Sequence, residues 1–319
     1  SNPLDVDAVV LDESSMIDAA LLARTLAAIP TGARLVLVGD VDQLPPVGPG
    51  APFRDVIASS RVPVARLITI HRQASESPIP YVARDLNAGL APDLAHGDLV
   101  RLIEVDGQEA AAQAVVESLD RVAAAHGLAL DQVQILSPQK SGPAGIEALN
   151  RTLQARLCPV PAGKTAVPCN GGTGFVCSTG DRVMQTRNDY DLAVMNGEIG
   201  RVVAANLDGV TVEAGVESSA AAEVARARER RDRDAEKRAN GERRVIVVEY
   251  PSPAGARRVA YTRSEARQLQ LAYAVTIHKS QGSSWPAVIV VAERKHAFML
   301  RRALVYTAVT RAERACWIV

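Results

Sequence analysis

The sequence predicts an α/β protein with a parallel sheet near its beginning, and two short apolar runs are the main observation behind this prediction. Residues 7–11 and 34–38 each have the length and composition of a buried parallel strand. Residues 17–28 leave room for one helix between them, so the order is strand, helix, strand. Polar residues follow both strands, and the carboxyl ends of parallel strands meet at one edge of a sheet. We therefore expect a polar site at that edge.

An acidic pair follows the first predicted strand directly. Asp12 and Glu13 stand at its carboxyl end, where ligands bind in open α/β sheets. A carboxylate suits Mg²⁺, and a neighbouring glutamate can orient or deprotonate an attacking water. A helix N-terminus explains the same residues without chemistry, because Asp12, Ser14 and Ser15 would cap a helix over residues 16–29. Both interpretations stay open on these residues alone.

The second predicted strand also ends in polar residues. Asp40 and Gln43 follow it as Asp12 and Glu13 follow the first, so a metal-bound phosphate group fits between the two strand ends. The Gly/Pro-rich stretch 39–50 is typical of a turn. A turn alone, however, does not require an amide at Gln43.

The composition limits the class of protein. A chain of 319 residues has material for about two or three domains, and 47% hydrophobic residues are ample for their cores. Because the formal net charge is zero, any nucleic-acid contact depends on local patches. The four cysteines lack paired CxxC spacing, which argues against a zinc site and gives no reason to expect disulfides. No apolar span approaches the ~20 residues needed to cross a bilayer, so we expect a cytoplasmic protein with no membrane partner.

Five stretches of the chain resemble, in order, five sequence motifs of superfamily 1 helicases. Residues 12–16 resemble motif II, residues 39–47 motif III, residues 67–74 motif IV, residues 273–282 motif V and residues 305–312 motif VI. Their order and their spread over almost the whole chain resemble the RecD-type helicases of superfamily 1B. That group includes the exodeoxyribonuclease V alpha subunit, and the resemblance is strongest to the form found without RecB and RecC partners.

The resemblance implies a RecA-like P-loop NTPase fold, of class α/β, with an inserted small SH3-like β-barrel. Residues 1–65 would be the C-terminal part of the first RecA-like domain (1A), with motifs II and III. Residues 66–168 and 266–319 would form the second (2A), with motifs IV, V and VI. The inserted domain (2B) would cover residues 169–265.

Periodicity adds local expectations inside these domains. Helices are expected at residues 108–125 and 145–157, and a strand at residues 133–136. Short strands separated by turns, which are typical of a small barrel, are expected at residues 180–186, 200–203, 209–212, 245–250 and 258–261.

A charge-dense run interrupts the inserted domain at residues 217–244. Its i, i+4 pairs allow a solvated helix, but it has almost no apolar stripe with which to pack. One interpretation is an arm that touches DNA, although its mixed signs dilute any attraction to phosphate. We favour the other interpretation, an exposed insertion.

The resemblance assigns ATP and Mg²⁺ as cofactors and gives roles to individual residues. Asp12 would ligate magnesium, Glu13 would activate water, and Gln43 would sense the terminal phosphate. Arg72 and Arg311 would be arginine fingers, a role that suits a planar and permanently charged guanidinium. Asp40 and Gly282 complete the expected nucleotide-binding set.

Single-stranded DNA is the partner that the resemblance implies. The polar cluster Thr276, His278, Lys279, Ser280 and Gln281 offers donors to the phosphates and sugars of one strand. A second set, formed by Ser137, Pro138 and Lys140, resembles the phosphate-contacting motif between motifs IV and V. Outside the resemblance, either set reads as an ordinary polar loop.

The sequence departs from the family pattern in two places. Ser284 stands where relatives commonly have a glutamate, which puts strict recognition of the nucleotide sugar in doubt. The second departure is that no complete phosphate-binding loop precedes Asp12. Gly163-Lys164-Thr165 is no substitute, because Cys158 occupies the place of the first glycine and prolines interrupt the loop.

These expectations combine into a functional hypothesis. The chain is expected to be the C-terminal motor fragment of an ATP-dependent 5′ to 3′ DNA helicase or translocase of DNA repair and recombination. Alone it is expected to be inactive as an ATPase, because its partner would be an upstream segment that carries the phosphate loop. Other recombination and repair proteins are further candidate partners. The alternative is a non-catalytic nucleic-acid-binding module or one half of a split helicase assembly.

Overall fold

The computed structural model describes residues 4–67, 77–160, 166–169, 174–205, 244–252, 255–293 and 299–319. The chain divides into two compact units. Unit 1 consists of Ser1–Pro138 and Thr276–Val319, and unit 2 consists of Gln139–Val275. The division into two units does not test the predicted boundaries of the three domains, which stay a prediction.

The helices and strands follow one another along the chain in this order: β1 (Ala8–Leu11), α1 (Ala19–Ala28), β2 (Arg34–Leu37), α2 (Pro52–Ser59), α3 (Ile79–Ala88), β3 (Ala95–His96), β4 (Val100–Leu102), α4 (Gln108–His126), β5 (Val133–Ser137), α5 (Ile146–Leu157), β6 (Val167–Cys169), β7 (Phe175–Cys177), β8 (Arg182–Gln185), β9 (Ile199–Ala205), β10 (Arg244–Tyr250), β11 (Arg257–Thr262), β12 (Leu269–Leu271), β13 (Ala274–Thr276), β14 (Trp285–Val290), α6 (Arg302–Val309) and β15 (Ala312–Ile318). The helices predicted from periodicity are confirmed at α1, α4 and α5, within two residues at each end.

The predicted strand, helix, strand unit opens unit 1. Strands β1 and β2 pair in parallel, with Val10 opposite Val36. Helix α1 begins at Asp18, whose carboxylate accepts a hydrogen bond from the amide of Leu21 at 2.7 Å. The cap is therefore Asp18, and the helix needs neither Asp12 nor the serines after it as caps.

Strands β1 and β2 contain no fully buried residue, and apolar side chains are exposed around them. Val10 is 64% exposed, and Leu21, Leu26, Val36 and Val38 are among the others that expose 40% or more. An apolar surface of this kind commonly marks a place where another segment or partner packs. The main core of unit 1 therefore lies elsewhere.

That core surrounds the second sheet of unit 1, in which four strands are parallel in the order β5-β14-β15-β4 and β3 pairs antiparallel at the end. The central strands are buried on both faces, as in Ile135, Ile289 and Trp317, which is why they read as nearly continuous apolar runs. Helix α4 packs on β5, β14 and β15, and α3 packs against α6. Helix α6 carries residues of the candidate site in its second half.

Unit 2 is mostly antiparallel. Five strands are ordered β11-β10-β9-β8-β12, and β6 and β7 form a separate hairpin. Their inner faces share one core, which includes Val202, Val248 and Leu269. The short strands predicted at residues 180–186, 200–203, 245–250 and 258–261 are confirmed. The strand predicted at 209–212 and the charged run 217–244 lie outside the described residues.

Within the described ranges, no helix is long and apolar enough to span a bilayer.

Candidate nucleotide and nucleic-acid sites

The acidic pair lies where β1 ends, and its backbone has an uncommon conformation. Glu13 has φ 51° and ψ 36°, in the left-handed region, and its amide donates to Oδ1 of Asp12 at 2.8 Å. Left-handed residues other than glycine are uncommon and cluster at functional sites. A short 3₁₀ helix, Ser14–Met16, follows at once, and the Ser14 hydroxyl donates to the Leu11 carbonyl at 2.7 Å. The chain therefore turns sharply and brings both carboxylates to the edge of the sheet.

Gly39 lets the second strand end approach this turn. A Cβ at Gly39 would lie 2.9 Å from the amide nitrogen of Ser15 and 3.1 Å from that of Ser14. The Ser14 amide also donates to the Val38 carbonyl at 2.8 Å. The loop after β2 thus lies directly against the loop after β1, as the sequence predicted.

Asp40 is the centre of a hydrogen-bond network at this edge. Its Oδ1 accepts from the Asp42 amide at 3.0 Å, and its Oδ2 accepts from Nε2 of Gln43 at 3.2 Å. The same Oδ2 accepts from the hydroxyl of Tyr306, on α6, at 3.0 Å. Burial, and secondarily the Asp40 carboxylate, raise the pKa of Tyr306, so its hydroxyl keeps its proton. Asp40 therefore joins the Gln43 loop to α6.

Leu44 makes two further connections from the same loop. Its amide donates a hydrogen bond to Oγ1 of Thr307 at 3.1 Å. Its carbonyl accepts a hydrogen bond from Nε2 of Gln281 at 3.4 Å. Leu44 and Thr307 are both buried. The segment after β2 thus contacts both α6 and Gln281, the residue that ends the short 3₁₀ helix Ile277–Ser280.

Arg311 is buried beside these groups, with 2% of its surface exposed. Its Nε donates to the Thr307 carbonyl at 3.2 Å and its NH1 to the Ser283 carbonyl at 3.0 Å. Its positive charge also acts on Tyr306, where it opposes the rise in pKa. The structure therefore places the expected arginine finger close to Tyr306, with its guanidinium held by backbone carbonyls.

A cleft of about 320 Å³ opens beside the Gln43 loop. Arg54, Arg301 and Arg302 line it, and among the described residues Asp42 is the one carboxylate in its lining. Two polar atoms at the cleft, Oγ of Ser15 and Oε1 of Gln43, are buried without a hydrogen-bond partner in the described part of the chain. The excess of positive charge suits an anionic ligand, whereas the buried carbonyl oxygen of Gln43 needs a hydrogen-bond donor.

Magnesium was expected at Asp12. Among the described residues no group of three or more His, Cys, Asp or Glu side chains could hold a metal ion. Mg²⁺ in phosphate-transfer sites is typically held by one or two carboxylates together with substrate phosphates and water. Asp12, which is exposed at the strand end, fits that sparse kind of ligand set.

The polar cluster expected to bind DNA caps its own short helix. Thr276 is the N-cap of the 3₁₀ helix, and its hydroxyl accepts from the Lys279 amide at 3.4 Å. Ser280 is fully buried, and its hydroxyl donates to the Ile277 carbonyl at 2.7 Å. Burial lowers the pKa of His278 from its ordinary value of 6.5, so its ring is neutral at pH 7. His278 is the exposed member of this cluster, and Lys279 and Gln281 are half-buried.

The second predicted DNA-contacting set is divided between the two units. Ser137 and Pro138 end the first part of unit 1 and are buried. Lys140 belongs to unit 2, where its side chain is exposed and its carbonyl accepts from the Glu147 amide at 3.0 Å. The exposed ammonium group of Lys140 suits a phosphate, whereas the side chains of Ser137 and Pro138 are buried.

The remaining predicted positions have simple environments. Gly282 has φ +77°, which a residue with a side chain rarely adopts, although a Cβ there would meet open space. Ser284, at the departure from the family pattern, donates to Oε1 of Glu313 at 2.6 Å. Arg72 and the rejected Gly163-Lys164-Thr165 stretch lie outside the described residues.

Sequence reasoning did not single out Tyr306 and Thr307. Both lie within the stretch that resembles motif VI, but no spacing rule connects them to residues near position 40. The available signal was two adjacent polar side chains in a short and otherwise apolar helix. In the structure they face the Gln43 loop.

Comparison with known proteins gives three matching families. Residues 4–101 match an AAA domain, residues 149–214 match the ATP-dependent RecD-like DNA helicase SH3 domain, and residues 271–319 match the UvrD-like helicase C-terminal domain. The matches follow one another along the chain in the order that the motifs predicted.

Curated relatives extend the similarity over nearly the whole chain. The chain is 36% identical over 313 residues to the ATP-dependent RecD2 DNA helicase of Deinococcus radiodurans, covering 97% of this chain and 36% of that protein. It is 32% identical over 326 residues to the RecBCD enzyme subunit RecD of Mycolicibacterium smegmatis, covering 98% of this chain and 50% of that protein. The chain thus spans a third to half of the length of these relatives.

Solved structures agree on the fold. The Pif1 helicase from Candida albicans superposes with a TM-score of 0.58 at 19% identity, over 98% of this chain and 71% of that one. The Bacteroides Pif1 helicase in complex with ADP-AlF3 and single-stranded DNA gives a TM-score of 0.53 at 16% identity, over 98% and 70% of the two chains. The fold is the RecA-like fold of superfamily 1 helicases, with an SH3-like domain.

The fold is shared with superfamily 1 helicases. Among them, the SH3-domain match and the curated relatives show that the chain is similar to RecD-like helicases over nearly its whole length.

Proposed function

We propose that this chain is the C-terminal motor portion of an ATP-driven helicase that moves 5′ to 3′ along single-stranded DNA. The observation that carries the proposal is the set of contacts from the loop after β2. Through Asp40 and Leu44 this loop reaches Tyr306 and Thr307 on α6, and through Leu44 it also reaches Gln281. One loop therefore connects the candidate nucleotide-binding residues with the candidate DNA-binding segment.

Each residue of the nucleotide site has a proposed chemical task. Asp12 would hold Mg²⁺, which when bound would neutralise charge on the phosphates. Glu13 takes a proton from the attacking water. The left-handed backbone conformation of this residue sets the direction in which its side chain leaves the backbone. Gln43 senses the terminal phosphate, and Arg72 and Arg311 stabilise negative charge that develops during transfer. Asp40 holds Gln43, while Gly282 lets the chain turn beside the nucleotide.

The DNA-binding role rests on accessible donors. Lys140 supplies an exposed positive charge, and His278 and Lys279 lie within the short 3₁₀ helix that Thr276 caps. Thr276 and Gln281 contribute mainly by holding that turn and by linking it to Leu44. For Ser137, Pro138 and Ser280, which are buried, we propose that any DNA contact is made through their backbone. These contacts are to phosphate and sugar, which position a strand without reading its sequence.

A substitution of Glu13 separates nucleotide binding from hydrolysis. In the full-length protein, Glu13→Gln is expected to bind ATP with unchanged affinity and to lose DNA-stimulated hydrolysis, because the amide cannot take the proton. The measurement is phosphate release with and without single-stranded DNA, together with the binding of a fluorescent ATP analogue.

Two controls accompany that measurement. Glu104→Gln is the matched change at an exposed acid outside the site and should behave as wild type. The 319-residue chain alone should hydrolyse no ATP, since its sequence contains no complete phosphate-binding loop. Persistent hydrolysis by Glu13→Gln would refute the role of Glu13, and hydrolysis by the chain alone would refute the assignment as a motor portion.

A further inference from the structure

We propose that Tyr306 is a positioning residue that, through Asp40, fixes which end of the Gln43 side-chain amide faces the attacking water. This inference rests on the proposed function, because it concerns the hydrolytic step. It adds a residue from α6 to the Gln43 site, and it gives Gln43 a second task beside the sensing of the terminal phosphate.

The chemistry of Asp40 decides the orientation of the amide. An ionised carboxylate accepts hydrogen bonds and donates none. Its Oδ2 receives the Tyr306 hydroxyl at 3.0 Å and one end of the Gln43 side chain at 3.2 Å. That end must be the NH₂ group, because the carbonyl end would place two acceptors together. The carbonyl oxygen, Oε1, is therefore turned away from Asp40.

In this orientation Oε1 of Gln43 lacks a hydrogen-bond donor among the residues that the structure describes, and the oxygen is buried. A buried acceptor without a donor is costly, so such an atom points to a ligand that supplies one. Gln43 also lines the cleft beside α6, which gives a ligand a place to enter.

Water in the hydrolytic step supplies the missing donor. Its oxygen forms a bond to the terminal phosphorus of ATP, and the bond from that phosphorus to the bridging oxygen of ADP breaks. One water proton goes to Glu13, and the hydrogen bond from the other goes to Oε1 of Gln43. A flipped amide would present NH₂ to the water and would lose this alignment.

Tyr306 stabilises the productive orientation from outside the loop. Its hydroxyl keeps its proton because burial raises its pKa, so it is a permanent donor to Asp40. Because Tyr306 belongs to α6, Asp40 receives hydrogen bonds from two separate segments of the chain. Removal of the hydroxyl leaves Asp40 bound only within its own loop, where the Asp40 and Gln43 side chains can turn together.

Tyr306→Phe in the full-length protein tests the proposal by removing one oxygen. The loss of one charge-assisted hydrogen bond predicts a fall in kcat of roughly tenfold, with unchanged KM for ATP and unchanged affinity for single-stranded DNA. Tyr81→Phe is the matched control, because Tyr81 lies on α3 and is 56% exposed. It should leave kcat as in wild type. A Tyr306→Phe protein with wild-type kcat, or with a KM that rises as kcat falls, would overturn the proposal.

A double-mutant cycle shows whether Tyr306 acts through Gln43. In a Gln43→Ala background, Tyr306→Phe should cause no further loss of kcat, because there is no amide left to orient. An equal tenfold loss in that background would mean that Tyr306 acts by another route and would refute the inference.

A nucleotide-free readout separates this inference from the proposed function. In the absence of ATP, Tyr306→Phe should lower the thermal midpoint of the protein in the wild-type background but not in an Asp40→Ala background. If wild type shows no DNA-stimulated hydrolysis, the proposed function fails, whereas equal thermal shifts in both backgrounds would refute the Tyr306–Asp40 bond itself.

Discussion

Asp40 shows how much of the candidate site depends on one carboxylate. It accepts a backbone amide, a side-chain amide and a phenolic hydroxyl, all at 3.0–3.2 Å. Hydrogen bonds to a charged acceptor each contribute about 1.5–3 kcal/mol. The Gln43 side chain is therefore held in place before any ligand arrives, which is the preorganisation that phosphate transfer requires.

Substitution of Arg311 is predicted to affect ATP turnover and DNA affinity very differently. Arg311→Ala in the full-length protein should lower ATP turnover by on the order of a thousandfold, the usual worth of an arginine finger, while DNA affinity changes little. The measurements are phosphate release at saturating DNA and a fluorescence titration with labelled single-stranded DNA.

The burial of Arg311 makes a stability control necessary. Its two bonds to backbone carbonyls mean that the variant also loses thermal stability, so turnover is compared at a temperature at which both proteins are folded. Arg314→Ala, at an exposed arginine on β15 three residues after Arg311, should change neither quantity. Equal losses of turnover and DNA affinity in Arg311→Ala would show that Arg311 contacts DNA instead.

At the level of single residues, the sequence predicted the types of group at the two strand ends but not their partners. Asp12, Glu13, Asp40 and Gln43 stand out because polar residues directly follow apolar runs. Tyr306 does not stand out in the sequence, because it is 266 residues from Asp40. A local sequence pattern cannot predict a contact between residues that far apart. Thr307 escaped notice for the same reason.

The elements around the site follow rules that a sequence expresses well. A strand in a parallel sheet is recognisable as an apolar run, and so β1, β2 and β5 were predicted within one residue of their observed ends. Helix α2 was not predicted, because its eight residues come directly after the Gly/Pro-rich stretch 39–50, which resembles a turn. Short elements beside a turn carry too few periodic positions to be told from it.

The contact between the two strand-end loops predicts the effect of a single methyl group. Gly39→Ala would place a Cβ 2.9 Å from a backbone nitrogen of Ser15, and backbone atoms cannot move aside as a flexible side chain can. We expect a loss of stability of about 1–3 kcal/mol and a loss of ATP turnover, because the Gln43 loop must shift away from Glu13. Urea denaturation and phosphate release measure the two effects.

Gly32→Ala is the matched control for that substitution. A Cβ at Gly32 meets no atom within 4 Å, but its φ of +93° makes the change mildly destabilising. This variant should therefore lose some stability and keep its turnover per folded molecule. Full turnover in Gly39→Ala would show that the close approach of the loops is not needed for hydrolysis.

At the scale of the whole molecule, two features bear on how the chain is used. The chain spans 36% and 50% of the length of two curated relatives, and apolar side chains around β1 and β2 are exposed. Exposed apolar surface of this extent usually binds another segment or partner. The motor activity is therefore a property that we propose for the full-length protein.

Directional unwinding tests the central claim most directly. The measurement follows strand release from two partial duplexes, one with a 5′ single-stranded tail and one with a 3′ tail, by the full-length protein with and without ATP. We predict ATP-dependent release from the 5′-tailed substrate, little from the 3′-tailed one, and none with Glu13→Gln. Equal release without ATP, or release only from the 3′-tailed substrate, would contradict the account.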